Sequence, residues 1–301
     1  MSQNSTRVEA PELSRSILMS DRVQRTRNEV DIQNPFGRVK TDVRKRKGLL
    51  KQTSYVFIGQ LNCRTLNSLS AKKELSIMAL KYNISICAVQ EHRIMHSAGD
   101  PPIYTNTIGP YTLFTASAWK SSVNATIGGV GILVKSSLLS LIQSIDKISD
   151  RIVSITFKGN PKTTIISCYS PHSGHSDLEV EQFFEPLTNH LISIPRHSFV
   201  SVCGDFNAHL KGAFSYHSEN NRNGSYLQDF MNECNLLASN TCFQKRKTSL
   251  WTWKSPSNQL SQIDYILCRK RWRNSIHDCQ AHSSSDPVGS DHRISSLANA
   301  N

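Results

Sequence analysis

From residue 55 onward the chain alternates short apolar runs with polar breaks rich in turn residues. Tyr55-Val56-Phe57-Ile58-Gly59-Gln60-Leu61 has the length of a strand, and Ile84-Ser85-Ile86-Cys87-Ala88-Val89 is a second such run, ending on Gln90-Glu91. Short continuous runs of β-branched and aromatic residues between turn signals mark buried strands. The same pattern predicts strands at about 111–116, 130–135, 151–157, 163–169 and 198–203, then near 250–253, 262–268 and 277–281, with a last one over 292–297. Leu75, Met78, Ala79 and Tyr82 recur at helical spacing, which predicts a helix over 70–82; further helices are predicted over 177–192 and 226–236, the latter with Asn223-Gly224 ahead of it. Many strands punctuated by a few helices suit two sheets packed face to face with the helices outside. Residues 1–53 follow neither period and read as a mostly disordered head before a single domain over 54–301.

Charge sharpens this division. The 301 residues carry a formal charge of +12, and residues 1–51 hold twelve Lys/Arg against six Asp/Glu, so half the excess lies in the head. Such a balance favours polyanionic partners. The run Arg44-Lys45-Arg46-Lys47 reads either as a solvated tail or as a nuclear-import or nucleic-acid-tethering patch. No stretch approaches the roughly 20 apolar residues of a membrane span, and the first residues lack a secretory pattern. Eight cysteines form no Cys-x-x-Cys pair or zinc spacing, and five of them (Cys63, Cys87, Cys168, Cys203, Cys268) fall in apolar runs. Free thiols in a reducing, intracellular compartment are expected, with the nucleus the expected location if the basic run serves import.

Residues able to perform acid/base or metal chemistry recur where the predicted strands end. Asn62 follows the first and Glu91 the second; Tyr169 ends another, and Asp205 and Asn207 follow the strand ending at 203. Asp264 lies inside a late strand, and Asp291-His292 leads into the final one. Strand ends deliver side chains from distant points of sequence to one cleft. Each residue alone has an ordinary reading: Gly204-Asp205-Phe206-Asn207, for example, suits an Asx-turn. Their common placement is the signal.

These residues sit in seven short motifs: Leu61-Asn62, Val89-Gln90-Glu91, Gly128-Gly129-Val130-Gly131, Tyr169-Ser170-Pro171, Gly204-Asp205-Phe206-Asn207, Gln262-Ile263-Asp264-Tyr265 and Ser290-Asp291-His292. In this order they resemble the endonuclease/exonuclease/phosphatase superfamily, over about residues 55–297. Asn62-Cys63-Arg64-Thr65-Leu66, Gln90-Glu91-His92-Arg93 and Trp251-Thr252-Trp253-Lys254-Ser255-Pro256 resemble, more narrowly, the endonuclease domains of RTE-type non-LTR retrotransposons and the craniofacial development protein 2-like group. The resemblance implies a four-layer α/β sandwich of the DNase I type, with two mainly antiparallel sheets and helices outside. It implies metal-assisted hydrolysis of DNA phosphodiesters, with no reverse transcriptase in this chain. Mg²⁺ is the implied cation, with Mn²⁺ as an alternative, held by Glu91, Asn62 and Asp291. Asp205 would orient or deprotonate the attacking water, and Asn207 would donate to the phosphate. His292, oriented by Asp264, would bind the phosphate or transfer a proton, and Tyr169 would support a phosphate or leaving oxygen.

Two positions depart from the abasic-site repair pattern: Gln262 stands where repair enzymes carry Arg, and His172 where they carry a phosphate-contacting Asn. His172 is thus either a phosphate contact or a loop residue. A repair-type nuclease, a phosphatase acting on small phosphoesters and a non-catalytic nucleic-acid-binding protein are the alternatives. Trp251 and Trp253, two apart on a predicted strand, would share one face, either packed or offered to DNA. Lys245-Arg246-Lys247 reads as a surface loop, either contacting phosphate or simply solvated. Few apolar residues follow His292, so the last strand is expected to hold the sheet weakly.

Overall fold

The computed structural model describes residues 55–283 and 289–299; the expectations placed on residues 1–53, including the Arg44–Lys47 run, lie outside them. The chain runs β1 (Val56–Asn62), α1 (Leu69–Lys81), β2 (Ile86–Gln90), β3 (Ile103–Ile108), β4 (Tyr111–Ala116), β5 (Trp119–Lys120), β6 (Thr126–Ile127) and β7 (Val130–Lys135). There follow β8 (Ile142–Ser149), β9 (Ile152–Phe157), β10 (Thr163–Tyr169), α2 (Asp177–Ser193), β11 (Phe199–Asp205), α3 (Arg222–Glu233) and β12 (Leu236–Ala238). The last elements are β13 (Trp253–Lys254), β14 (Leu260–Ser261), β15 (Asp264–Arg269), β16 (Ile276–Ala281) and β17 (Ser295–Asn299). Among the described residues no helix is long and apolar enough to cross a membrane.

Two sheets form the centre. One has seven strands in the order β16-β17-β1-β2-β7-β4-β3 and the other six in the order β12-β15-β11-β10-β9-β8. Each contains a single parallel pair, β1 with β2 and β10 with β11; every other pairing is antiparallel. The parallel pairs are the ones whose strands are joined through a helix, α1 and α2, because a parallel return needs a crossover. Side chains alternate across a strand. The inward ones (Ile58, Ile86, Ile132, Ile155, Ile165 and Ile266 among them) form the core between the sheets. Outward ones pack against α1 on one side and against α2 and α3 on the other. The result is the expected four-layer α/β sandwich.

Local chemistry sets the helix starts. Ser176 caps α2 with a capping box: its Oγ accepts from the Glu179 N–H, and the Glu179 carboxylate accepts from the Ser176 N–H. Asn221 caps α3 by accepting from the Gly224 N–H at 2.7 Å, so Asn223 and Gly224 fall inside the first turn rather than ahead of the helix. Gly224 is required there, because a Cβ would lie 1.9 Å from the His209 carbonyl oxygen.

Several expectations are corrected by the fold. β3 and β8 were missed by the pattern: they are sheet edges, and β3 in particular exposes polar side chains with no run of buried ones. The strand expected over 250–253 is only Trp253–Lys254, and the final strand begins at Ser295 rather than at 292. That strand is not weakly held. β17 lies between β1 and β16, with Leu297 wholly buried. All eight cysteines are free thiols, and burial pushes the thiol pKa of Cys63, Cys87, Cys168, Cys203, Cys268 and Cys279 up.

Candidate active site

The parallel pairs bring the C-terminal ends of β1, β2, β10 and β11 to one edge of the sandwich. β15 runs antiparallel to β11, so its first residue, Asp264, pairs with the last residue of β11, Asp205. Along the inward face of each strand the side chains change from apolar to polar as this edge approaches: Ile58, Gln60, Asn62 on β1; Ile86, Ala88, Gln90 on β2; Ile165, Ser167, Tyr169 on β10. The period of two that builds the core therefore also delivers the polar groups.

Those groups are bonded across the two sheets. The Gln60 amide donates to Gln90 Oε1 (3.0 Å) and to Asp264 Oδ1 (2.7 Å), and Gln90 donates to Ser167 Oγ (3.0 Å). Asn62 Nδ2 donates to Glu91 Oε1 and to Asp205 Oδ2, both at 3.0 Å. Glu91 also accepts from the Tyr169 hydroxyl (2.9 Å) and from Arg93 (2.8 Å). Burial alone would raise the Glu91 pKa, but the hydrogen bonds from Asn62, Arg93 and Tyr169 outweigh it and hold the carboxyl below its ordinary range. Burial raises the Tyr169 phenol, and the Glu91 charge raises it further, so it stays a donor.

Asp205, His292 and Asp264 form a buried trio whose ligand atoms lie within 4.8 Å of one another. His292 Nδ1 lies 2.9 Å from Asp264 Oδ2, while its Nε2 lies 4.0 Å from Asp205 Oδ2 and 3.9 Å from Asp291 Oδ1. Burial pulls the His292 pKa down, but three carboxylates, Asp264 foremost, outweigh it and lift it to about 9. Burial, then the Asp264 charge, pushes the Asp205 carboxyl up, against the pull of His292. Asp205 Oδ1 accepts from the Asn207 N–H (2.9 Å), so the Asx-turn reading is also realised. Asn207, at φ 50°, turns its amide to the Ser170 carbonyl.

The cleft above these groups has a volume of about 440 Å³, and Glu91, Tyr169, Asp205, Asn207, Asp291 and His292 all line it. The structure thus brings together all the proposed catalytic and metal residues, and leaves out only the phosphate contact considered at His172. His172 is exposed, with Nδ1 accepting from the Gly174 N–H and its ring against His175; Ser173 reaches the cleft instead. Gln262 is buried away from the cleft, where its side chain accepts from the Tyr216 N–H and fixes the loop before α3. Trp251 and Trp253 do not share a face. Trp253 lines the cleft and donates from Nε1 to Asp291 Oδ2 (3.1 Å), while Trp251 lies outside the strand with the Arg293 guanidinium 3.1 Å over its ring. Of the basic loop, Lys245 is paired with Asp278 at 2.6 Å and Lys247 lies over the Tyr216 ring, so neither is simply solvated.

Sequence reasoning missed Gln60, Gln90, Ser167 and Thr252. Thr252 is buried, and its Oγ1 accepts from the N–H groups of both Ile263 and Asp264, fixing the start of β15. A polar residue in phase with buried apolar neighbours was the available signal for the first three.

The donors suit a hard divalent cation on the Glu91 side. Asp291 Oδ1 is buried without a hydrogen-bond partner, and Glu91 offers a second carboxylate in the same cleft. In the trio, Asp264 Oδ1 already accepts from Gln60, Asp264 Oδ2 from His292, and both Asp205 oxygens accept hydrogen bonds. Glu91 is likewise bonded to Asn62, Tyr169 and Arg93, so a cation there would replace one of these donors, and Asp291 Oδ1 is the acceptor that stands open.

Fold and site together define a DNase I-like hydrolase scaffold. Residues 59–292 match the Endonuclease/Exonuclease/phosphatase family, and the chain belongs to it. Members of this family are typically hydrolytic nucleases or phosphatases. Craniofacial development protein 2 from Tragulus javanicus and from Bos taurus are each 32% identical to this chain over 176 residues, 55% of it. The chain spans about 30% of the length of these relatives. Among solved structures, the endonuclease domain of TRAS1, a telomere-specific non-LTR retrotransposon, superposes with a TM-score of 0.56 at 16% identity, covering 82% of this chain and 99% of that one. The AP endonuclease LMAP from Leishmania major gives 0.66 at 13% identity, covering 89% and 93%.

Proposed function

We propose that the chain is a divalent-metal-dependent DNA endonuclease that nicks phosphodiester bonds by attack of water on phosphorus. The buried Asp205–His292–Asp264 trio, set beside Glu91 and Asn62 in one cleft, carries this reading. Asp205, its basicity raised by burial and by Asp264, accepts a proton from the attacking water. His292, held as an imidazolium by Asp264, donates from Nε2 to a phosphate oxygen as charge develops there. Asn207 has a second amide hydrogen, besides the one given to Ser170, to donate to a remaining oxygen. The Tyr169 hydroxyl, whose one hydrogen goes to Glu91, would reach a phosphate oxygen only by giving up that bond. Mg²⁺, or Mn²⁺ in its stead, held by Glu91, Asn62 and Asp291, would neutralise charge on the phosphate and the leaving oxygen. The formal charge of +12, with Arg64 and Arg93 lining the cleft, favours a polyanion over a small phosphoester. The departures at His172 and Gln262 favour general nicking over abasic-site repair.

Supercoiled plasmid incubated with the protein and Mg²⁺ is expected to be nicked, EDTA to stop it, and Asp205→Ala and His292→Ala to abolish it. Absence of metal-dependent nicking by the wild type, or equal nicking by the variants, refutes the proposal. An abasic oligonucleotide and a phosphoinositide run in parallel distinguish a repair nuclease and a phosphatase. Binding of DNA without turnover identifies a non-catalytic protein.

A further inference from the structure

Glu91 leaves β2 in the left-handed region at φ 51°, and Arg93 repeats that conformation at φ 55°. Residues with side chains seldom adopt it, so the segment needs outside support. His92, between them, is fully buried. Its Nδ1 accepts from the Ile94 N–H (3.0 Å), which leaves Nε2 as the donor to the Val130 carbonyl (3.2 Å). The ring fills the space beside Gly129, where a Cβ would lie 2.5 Å from it. Gly128 is cut away in the same manner for Trp119, whose ring a Cβ would meet at 2.0 Å. The two glycines of the Gly128-Gly129 motif therefore receive two different side chains.

The contacts continue from Trp119 back to Glu91. The Arg151 guanidinium lies 4.7 Å from the Trp119 ring centroid and 5.5 Å from that of Tyr169, and it donates to the Tyr169 carbonyl at 3.3 Å. Tyr169 in turn donates to Glu91 Oε1. Arg151 is half-buried and, among the described residues, makes no ion pair within 4 Å, although the charges of Glu179, Asp150 and Glu91 act on it from further off. A cation placed so is costly when an apolar side chain could fill the same volume. Its planar group between two rings does what an aliphatic chain could not: it fixes the rings' faces relative to each other.

We propose that His92, Trp119 and Arg151 are positioning residues that close a ring of contacts around Glu91, holding its backbone from one side and its carboxylate, through Tyr169, from the other. The inference rests on the reading of Glu91 as a metal ligand. None of the three touches the reacting atoms. Groups that orient a metal ligand typically matter by about ten- to a hundredfold in metal affinity.

The test measures Mn²⁺ binding by calorimetry in the full chain, the Mg²⁺ concentration for half-maximal nicking, and hydrogen exchange at the Arg93 and Ile94 amides, which bond to the Gly128 carbonyl and to His92. Trp119→Ala and Arg151→Lys are expected to weaken Mn²⁺ binding about ten- to a hundredfold, and Trp119→Phe, which restores a ring, to stay within about threefold of wild type. His92→Ala and Trp119→Ala are expected to lose exchange protection at Arg93 and Ile94. Unchanged affinity and protection in these variants overturns the proposal, as does a loss confined to turnover at saturating metal. A wild type that binds no Mn²⁺ overturns the metal reading of Glu91, and the exchange data then still decide whether the ring holds the segment.

Discussion

Asp264→Asn changes the site by one charge at nearly constant volume. Asp264 Oδ1 accepts from Gln60 and Oδ2 faces His292 Nδ1 at 2.9 Å, so an asparagine that keeps the first bond must turn its NH₂ toward the ring. Two donors then oppose each other unless Nδ1 gives up its proton. The Asp264 charge is also the main effect opposing burial, and its loss returns His292 from about 9 toward its ordinary 6.5. Asp205 and Asp291 still raise the ring, so a complete return is the upper bound: at pH 7.5 it would take the ring from roughly 97% protonated to roughly 9%, at most about 3 kcal/mol. Population alone therefore lowers turnover by up to about tenfold, and the misplaced tautomer lowers it further, to about a hundredfold. Plasmid nicking at saturating Mg²⁺ should show wild-type activity holding until pH nears 9 and variant activity falling above about 6.5. The acid limb should move downward in the variant, because Asp264 helps to raise Asp205. An unchanged alkaline limb with turnover within twofold would refute the coupling.

Two predictions concern stability. Burial holds the His92 pKa at about 4, below its ordinary 6.5, so the unfolded chain binds the proton more readily; stability present above pH 6.5 is lost as pH falls toward 4, by up to about 3 kcal/mol, and urea unfolding at pH 7 and 4.5 should show a smaller difference in His92→Gln. Thr252→Val leaves the N–H groups of Ile263 and Asp264 buried without an acceptor and should cost about 2–5 kcal/mol, whereas Thr252→Ser should cost far less; equal unfolding midpoints for Val and wild type would contradict the role assigned to Oγ1.

The sequence is most legible where strands are buried on both faces. β2, β4 and β11 carry unbroken buried runs, and their limits were read to within a residue or two. β3 and β8 are edges, where solvent removes the constraint that writes a pattern. The start of α3 was displaced because an asparagine cap outranked the turn signal of Asn223-Gly224. The residues converging on the cleft were visible as polar breaks after apolar runs. Their supports were not: Gln60 and Gln90 lie inside buried strands, and His92 and Trp119 become partners of Glu91 only through two glycines and an arginine from the β8–β9 turn. Such links depend on how the two sheets face each other, which no single strand records.

The position of β17 bears on when the molecule can work. It is synthesised after every other described strand, yet it pairs with β1, the first, and lies inside the seven-stranded sheet. A ribosome-bound chain can fold its six-stranded half earlier, but β1 has no partner on one side until residues 295–299 have emerged. His292, just ahead of β17, takes its place between the carboxylates in the same late event. The nascent chain therefore carries the cleft acids before the residue that completes them, and the trio assembles only once residues 295–299 have emerged.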